Sequence, residues 1–464
     1  MSALAVVTPW FGPALHGGAE RQAREIALRL AARGHEVEVL TTCCRSFADD
    51  WSIDHHPPGA SVEGNLTVRR FPVDPRDPAA FDAANARLLA VRPEDLQPGV
   101  SPVAPKDARA FAEHNINSSA LLAHLRAAGG RYRALLFIPY LYGTTLGGLP
   151  LVAERALLQP CLHPEAYALL PAVAAVFRAA RRVLFNSEGE RELARRLYGP
   201  GIHSRSLVVG EGVETFAPPD GDESDGNNES DESDALPADL RGARFVLCLG
   251  RRDPAKNTDL LLRAFRLFRA EHPSDDLTLV LAGPGVLDPG DDATAAGDGL
   301  TALGGGSGVR DLGVVSEATK AALLGRALAL FQPSRNESFS RVLMESWLAA
   351  LPVAAHRDCL ATARAVESAR GGWLAATEAE WAALFATVSA ASPAALGEPG
   401  RNGQVYARDY ADWDKVIDRY EAALAELDEE EKISAAGGGN DERGTMNDEA
   451  KAVEANDEAK LDEA

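Results

Sequence analysis

Two acids separated by seven residues, Glu337 and Glu345, lie in the segment Pro333-Ser334-Arg335-Asn336-Glu337-Ser338-Phe339-Ser340-Arg341-Val342-Leu343-Met344-Glu345. The first falls in a polar loop after an apolar run, where a carboxylate can accept hydrogen bonds from sugar hydroxyls. The second falls inside the helix that starts near Ser340, where it can take two ribose hydroxyls bidentately. The N–H groups of Ser338, Phe339 and Ser340 point into the same space, as free donors at a helix N-terminus do. A plain helix start with a favourable acid is the competing reading.

A second segment, Gly250-Arg251-Arg252-Asp253-Pro254-Ala255-Lys256-Asn257, follows a strand-length apolar run. Ligands of open α/β sheets bind at such strand ends, and Arg251 with Lys256 across a Pro-containing loop can close two cations on a diphosphate. Arg outnumbers Lys 40 to seven in the chain, so Lys256 stands out as a point charge, with an exposed surface lysine as the alternative. The third segment is His16-Gly17-Gly18-Ala19-Glu20-Arg21. Gly17 and Gly18 let backbone approach an anion at a helix N-terminus, although the pair also fits a simple tight turn and lacks the GxGxxG spacing of nicotinamide enzymes.

The elements that must position these segments alternate apolar strand-length runs with amphipathic helices, the pattern of a parallel α/β sheet. Ala3–Thr8 reads as a strand, Glu20–Arg33 as a helix closed by Gly34, and Glu36–Thr41 as the next strand. Ala134–Pro139, Ala156–Gln159, Val183–Asn186 and Ser206–Val209 continue the series, while Cys43 to Arg131 reads as a long, loop-rich stretch. The pattern restarts with the strand Arg244–Leu249, the helix Thr258–Glu271 and the strand Leu277–Ala282, followed by a Gly/Asp-rich loop over Asp288–Gly308. The expected organisation is a Rossmann-like domain over 1–215, an acidic disordered linker over 216–240, a second Rossmann-like domain over 241–410, a terminal helix over 411–427 and a disordered acidic tail over 428–464.

The net charge of −21 belongs mainly to two segments. Asp220–Asp234 carries eight acids and no base, and Asp428–Ala464 carries thirteen acids against four bases, leaving −4 for the remainder. That balance does not recommend nucleic acid as a partner. Five cysteines without a CxxC pair, no signal-like start and no apolar run of spanning length fit a cytoplasmic chain, with peripheral contact at the inner face of the membrane left open.

Gly-Gly-Ala-Glu near the start, Gly-Arg-x4-Lys-Asn at the head of the second half and Glu-x7-Glu after Pro-Ser, in that order over Ala3 to Leu427, resemble the GT4 family of glycosyltransferases. The resemblance implies a GT-B fold, an α/β architecture of two Rossmann-like domains facing a cleft. It also implies a retaining, metal-independent transfer of a hexosyl group from a nucleotide-diphosphate sugar to an acceptor (glycan, lipid or small molecule), as in polysaccharide biosynthesis. No cofactor beyond the donor is implied. Gly17, Gly18, Arg251, Lys256, Ser338, Phe339, Ser340 and Glu345 become donor-binding candidates, and Glu337 a catalytic one. The resemblance adds His163, in Cys161-Leu162-His163-Pro164-Glu165, as a cleft residue that contacts the transferred sugar.

Two positions depart from the family's pattern. Many relatives place Asp directly after the His, whereas Pro164 stands here and Glu165 follows, which leaves the His-carboxylate pairing open. The family has Gly where this chain has Ser340, which reads here as a helix cap. Asp412-Trp413-Asp414 matches the DxD of metal-dependent transferases but reads as an N-cap with an acidic first turn. A nucleotide-sugar 2-epimerase of the same fold and a non-catalytic nucleotide-sugar-binding protein remain as alternative readings.

Overall fold

The computed structural model describes residues 3–15, 17–214, 235–252, 254–285 and 308–437. Short, continuously apolar runs such as Leu4–Val7 and Phe245–Leu249 are too short for helices, and they are buried on both faces as parallel strands.

Eight strands form the first sheet: β1 Leu4–Val7, β2 Val37–Thr42, β3 Gly59–Glu63, β4 Leu66–Phe71, β5 Ala134–Phe137, β6 Ala156–Leu158, β7 Arg182–Phe185 and β8 Ser206–Val208. Their order is β3-β4-β2-β1-β5-β6-β7-β8, parallel except where β3 pairs antiparallel to β4. Six parallel strands form the second sheet: β9 Phe245–Leu249, β10 Thr278–Ala282, β11 Val309–Asp311, β12 Leu330–Gln332, β13 Val353–His356 and β14 Gly372–Ala375, in the order β11-β10-β9-β12-β13-β14. The register aligns carboxyl ends, with Val7 beside Phe137, Phe137 beside Leu158 and Leu249 beside Ala282. Every chemistry-bearing segment of the sequence therefore leaves its sheet at the same edge, where open α/β sheets bind ligands.

Helices cover both sheets through periodic apolar stripes. In the helix Gly18–Ala32 the stripe is Gln22, Ala23, Ile26, Ala27 and Leu30, with one polar member that needs a buried partner. Thr258–Glu271 packs Leu261, Phe265 and Phe268 against the second sheet with Phe331 and Phe385.

The structure departs from the sequence reading in three places. The stretch from Cys43 to Arg131 is not mainly loop. It holds β3, β4 and the helices Pro78–Leu89, Pro105–Glu113 and Ser119–Ala128, the first and last capped by Asp77 and Ser118 side chains. The hairpin β3-β4 turns on Gly64-Asn65 with Gly64 at φ 65°. Next, the terminal helix runs from Trp413 to Gly437, ten residues past its expected end. Asp412 caps it by accepting from Lys415 N at 3.2 Å. Finally, a short helical turn at Ala238–Leu240, with Leu236 and Leu240 buried, occupies the end of the expected linker. Residues 215–234, 286–307 and 438–464, which contain the rest of the acidic linker, most of the Asp288–Gly308 loop and most of the tail, lie outside the described residues.

Met1–Ile417, with both sheets, is one compact unit, and Asp418–Ala464 is another. Among the described residues no helix is long and apolar enough to cross a membrane.

Candidate active site

The loops after β9 and β12 bring the expected diphosphate cation and sugar carboxylate into direct contact. Lys256 Nζ lies 2.7 Å from Glu337 Oε1, both side chains mostly buried. Gln332, at the end of β12 and 4% exposed, directs its amide at Glu337 Oε1 (3.4 Å) and at Ser340 Oγ (3.3 Å). Arg251 is exposed, whereas Arg252 is the buried arginine of the pair. The Arg252 guanidinium is paired with Asp311 and donates to the Gly283 carbonyl, so it ties the loops after β9 and β10 to the end of β11. Asp253 lies outside the described residues.

Glu345 is buried in the helix Arg341–Leu348, and Lys320 Nζ lies 3.4 Å from its Oε1 and 2.6 Å from Glu317 Oε2. Phe339 is core: it is 2% exposed and stacks on Tyr410 with ring centroids 6.3 Å apart, so only its backbone can serve a ligand. Ser340 holds φ 80° and ψ 88° and makes no side-chain cap bond. The expected cap is corrected by this geometry. The backbone adopts the left-handed conformation that suits glycine, and the hydroxyl turns to Gln332 instead.

Across from these loops, His163 Nδ1 lies 3.6 Å from Glu165 Oε1, and that oxygen accepts from Tyr140 OH at 2.7 Å. A tight turn, with Glu165 N donating to His163 O at 2.9 Å, carries the carboxylate past Pro164. The pairing left open by the missing Asp is thus made by Glu165. Burial works against the imidazolium, but the hydrogen bond and charge of Glu165, with Glu337 and Glu190 beyond, outweigh it and raise the His163 pKa. Burial likewise opposes ionisation of Glu165, and His163 and Tyr140 together hold its pKa below the ordinary value. A cleft of about 370 Å³ adjoins this pair, lined by Pro164 and Glu165 on one side and Ala255, Asn257, Arg335 and Asn336 on the other.

At the β1 end, Gly17 is the N-cap of the helix Gly18–Ala32. The Glu20 carboxylate folds over it, held by Trp10 Nε1 at 2.8 Å, so a Cβ on Gly17 would collide with that carboxylate. Among the described residues, nothing beyond its chain neighbours and its own helix backbone lies within 4 Å of a Cβ placed on Gly18. His16 lies outside the described residues.

The GT4 resemblance also marks Phe185-Asn186-Ser187-Glu188 as a segment typical of the family's cleft, but it gives these residues no role, and Gln22, Gln159, Glu190 and Arg341 are not singled out in the sequence at all. Asn186 Oδ1 accepts from Gln22 Nε2 and Gln159 Nε2, each at 2.7 Å. Glu190, 1% exposed, accepts backbone N–H bonds from Leu162 and Asn186, each at 2.5 Å. Burial pushes its pKa up to about 8. The spacing Ser187-x-x-Glu190 is a capping-box signature that could have flagged it, and a Gln inside an apolar helix stripe could have flagged Gln22. Arg341 reaches Glu211 Oε1 (2.9 Å) and the Gly212 carbonyl (3.0 Å), joining the start of the Arg341–Leu348 helix to the segment after β8.

Residues 243–391 match the family model described as glycosyl transferases group 1, and residues 17–205 match that of the glycosyl transferase 4-like domain. The chain belongs to the GT4 glycosyltransferases. Curated relatives of this glycosyltransferase include D-inositol 3-phosphate glycosyltransferases. That of Acidothermus cellulolyticus is 28% identical over 350 residues, covering 74% of this chain and 70% of the relative. That of Kineococcus radiotolerans is 28% identical over 368 residues, covering 73% and 72%.

Similar solved structures include sucrose-phosphate synthase from Thermosynechococcus elongatus, with TM-score 0.58, 18% identity and coverage of 92% of this chain and 99% of that one. Trehalose 6-phosphate synthase from Burkholderia multivorans has TM-score 0.62, 14% identity and coverage of 94% and 100%. Anabaena HepE, solved with UDP and glucose, has TM-score 0.57, 17% identity and coverage of 92% and 100%. At these identities the likeness shows the fold, and the GT-B architecture expected for this glycosyltransferase is the one it has.

Proposed function

We propose that this glycosyltransferase moves a hexosyl group, with retention and without a metal, from a nucleotide-diphosphate sugar to a glycan, lipid or small-molecule acceptor in the cytoplasm. The observation that carries the reading is the Lys256–Glu337 pair, in which a cation and a carboxylate meet at a strand end of the second sheet. Arg251 and Lys256 neutralise the departing diphosphate, where negative charge grows most in the transition state. Glu337 grips the sugar hydroxyls, and the N–H groups of Ser338 to Ser340 add donors. Glu345 takes the ribose hydroxyls, with Lys320 as the cation it must share. Gly18 leaves room for the donor to approach backbone, and His163, oriented by Glu165, contacts the sugar near its anomeric carbon.

In this reaction the bond from the anomeric carbon to the phosphate oxygen breaks with its electron pair going to the diphosphate. The acceptor oxygen bonds to the same face, and its proton passes to the departing phosphate oxygen. The arginine and lysine supply positive charge that a metal provides in other transferases. A uridine diphosphate sugar is the first donor to try, because a protein of the same fold was solved with UDP and glucose.

The test is incubation with UDP-glucose, UDP-N-acetylglucosamine and GDP-mannose, with and without D-inositol 3-phosphate or a lipid extract, reading nucleoside diphosphate release. Release that falls in Glu337→Ala and Lys256→Ala supports the reading. No release under any condition, with unchanged nucleotide binding in both variants, sinks it. A change of the donor sugar without acceptor, seen by NMR, decides for an epimerase.

A further inference from the structure

Asn186 directly follows β7 and is fully buried, so it cannot itself touch a donor sugar, yet its amide is the meeting point of the loops proposed to do so. We propose that Asn186, with its neighbour Ser187, is a positioning residue that holds the His163 loop and the Glu337–Ser338 loop in one reacting geometry. The inference rests on the roles given above to His163 and Glu337.

Asn186 Oδ1 accepts from Gln22 of the helix that opens at the glycine pair and from Gln159 just after β6, each at 2.7 Å. Its Nδ2 faces Cys161 Sγ at 3.6 Å and Ser338 Oγ at 3.5 Å. The strong link across the site is made one residue on, where Ser187 Oγ donates to the Ser338 carbonyl at 2.7 Å. The Asn186 carbonyl lies 3.4 Å from Tyr410 OH. Two residues thus touch the elements that follow β1, β6 and β12.

Glu190 anchors the arrangement from below. Its two oxygens take the N–H of Asn186 and the N–H of Leu162, the residue before His163, so one rigid carboxylate sets the His163 loop against β7. The chain reaches His163 through Cys161, which holds φ 56°, a left-handed conformation that costs about 1–3 kcal/mol in a non-glycine residue and persists only where the surroundings impose it. A buried amide whose oxygen is doubly bonded and whose nitrogen faces the opposite loop is a costly arrangement to bury for packing alone. Misplacement of reacting groups by about 1 Å can cost ~10²-fold in rate, which gives such a device something to protect.

The experiment uses Asn186→Ala and, separately, Ser187→Ala in the full chain. UDP affinity and stoichiometry are measured by calorimetry, and donor hydrolysis is followed with whichever panel nucleotide sugar the wild type turns over. Positioning predicts that each variant loses about tenfold or more in kcat, while donor KM and UDP affinity stay within about threefold and UDP stoichiometry stays near one. A purely structural role predicts the opposite: kcat falling only in step with UDP stoichiometry, or unchanged in the folded variant, overturns the inference. His163→Ala and Glu337→Ala are run beside them. If those two lose kcat and the Asn186 and Ser187 variants do not, the positioning inference alone fails. If none of the four loses kcat, or the wild type turns over no donor, the roles beneath it fail as well.

Discussion

Lys256 Nζ and Glu337 Oε1 lie 2.7 Å apart, so the cation proposed for the diphosphate and the carboxylate proposed for the sugar neutralise each other in this structure. Donor binding must exchange that pair for two new ones. The two residues therefore act in opposite directions on free UDP. Lys256→Ala should weaken UDP binding about 10- to 100-fold, or about 1.4–2.7 kcal/mol. Glu337→Gln releases the lysine, so UDP should bind as tightly or a few-fold tighter while donor turnover falls ~10²-fold. Calorimetry and turnover on the two variants check this, and parallel losses of UDP affinity would contradict the exchange.

The two glycines before the first helix should separate stability from binding. A Cβ on Gly17 meets the Glu20 carboxylate and breaks its bond to Trp10, so Gly17→Ala should lower the melting temperature. Gly18 has open space around it, and Gly18→Ala should leave melting unchanged or slightly raised, because Ala favours the helix. If the donor approaches over Gly18, that methyl should raise donor KM severalfold. An unchanged KM would remove Gly18 from the donor site.

Ser340 pays for its φ of 80°. Ser340→Gly should stabilise the chain by about 0.5–1 kcal/mol after the lost contact to Gln332, whereas Ser340→Ala keeps the strain and loses the contact, so it should be less stable than wild type. Equilibrium denaturation of the three proteins gives the order, and a glycine variant less stable than the alanine one would show that φ is not what the site resists.

The His163–Glu165 pair predicts a pH window. The folded pKa of His163 is raised above 6.5, so its share of stability is full below 6.5 and is lost as pH rises through the folded value. The folded pKa of Glu165 is lowered below 4.5, so its share is full above 4.5 and is lost as pH falls through the folded value. The pair therefore contributes most between about 4.5 and 6.5. Glu165→Gln should lower the His163 titration midpoint in an NMR titration and flatten the stability profile on both sides of that window. A midpoint that stays put would mean that Glu165 does not govern the imidazole.

The α/β class is legible in the chain alone, because apolar runs such as Leu4–Val7 and Phe245–Leu249 can be satisfied only in buried parallel strands, and the motifs after β1, β9 and β12 mark the loops where chemistry could sit. It did not show β3, β4 and the three helices between Cys43 and Arg131, because β3 is almost wholly exposed and so carries no buried apolar alternation, and the helices there are short. Ser340 could be recognised as out of place in its motif, but its left-handed backbone, beside the packed ring of Phe339 and with its hydroxyl turned to Gln332, shows only in the fold. Which partners meet is set by the fold. Lys256 and Glu337 are 81 residues apart, Gln22 and Asn186 are 164 apart, and Ser187 and Ser338 are 151 apart. No periodicity in a chain encodes such pairings: the first two depend on the strand order within one sheet, and Ser187–Ser338 depends on how the two sheets place their carboxyl edges, all of which are properties of packing.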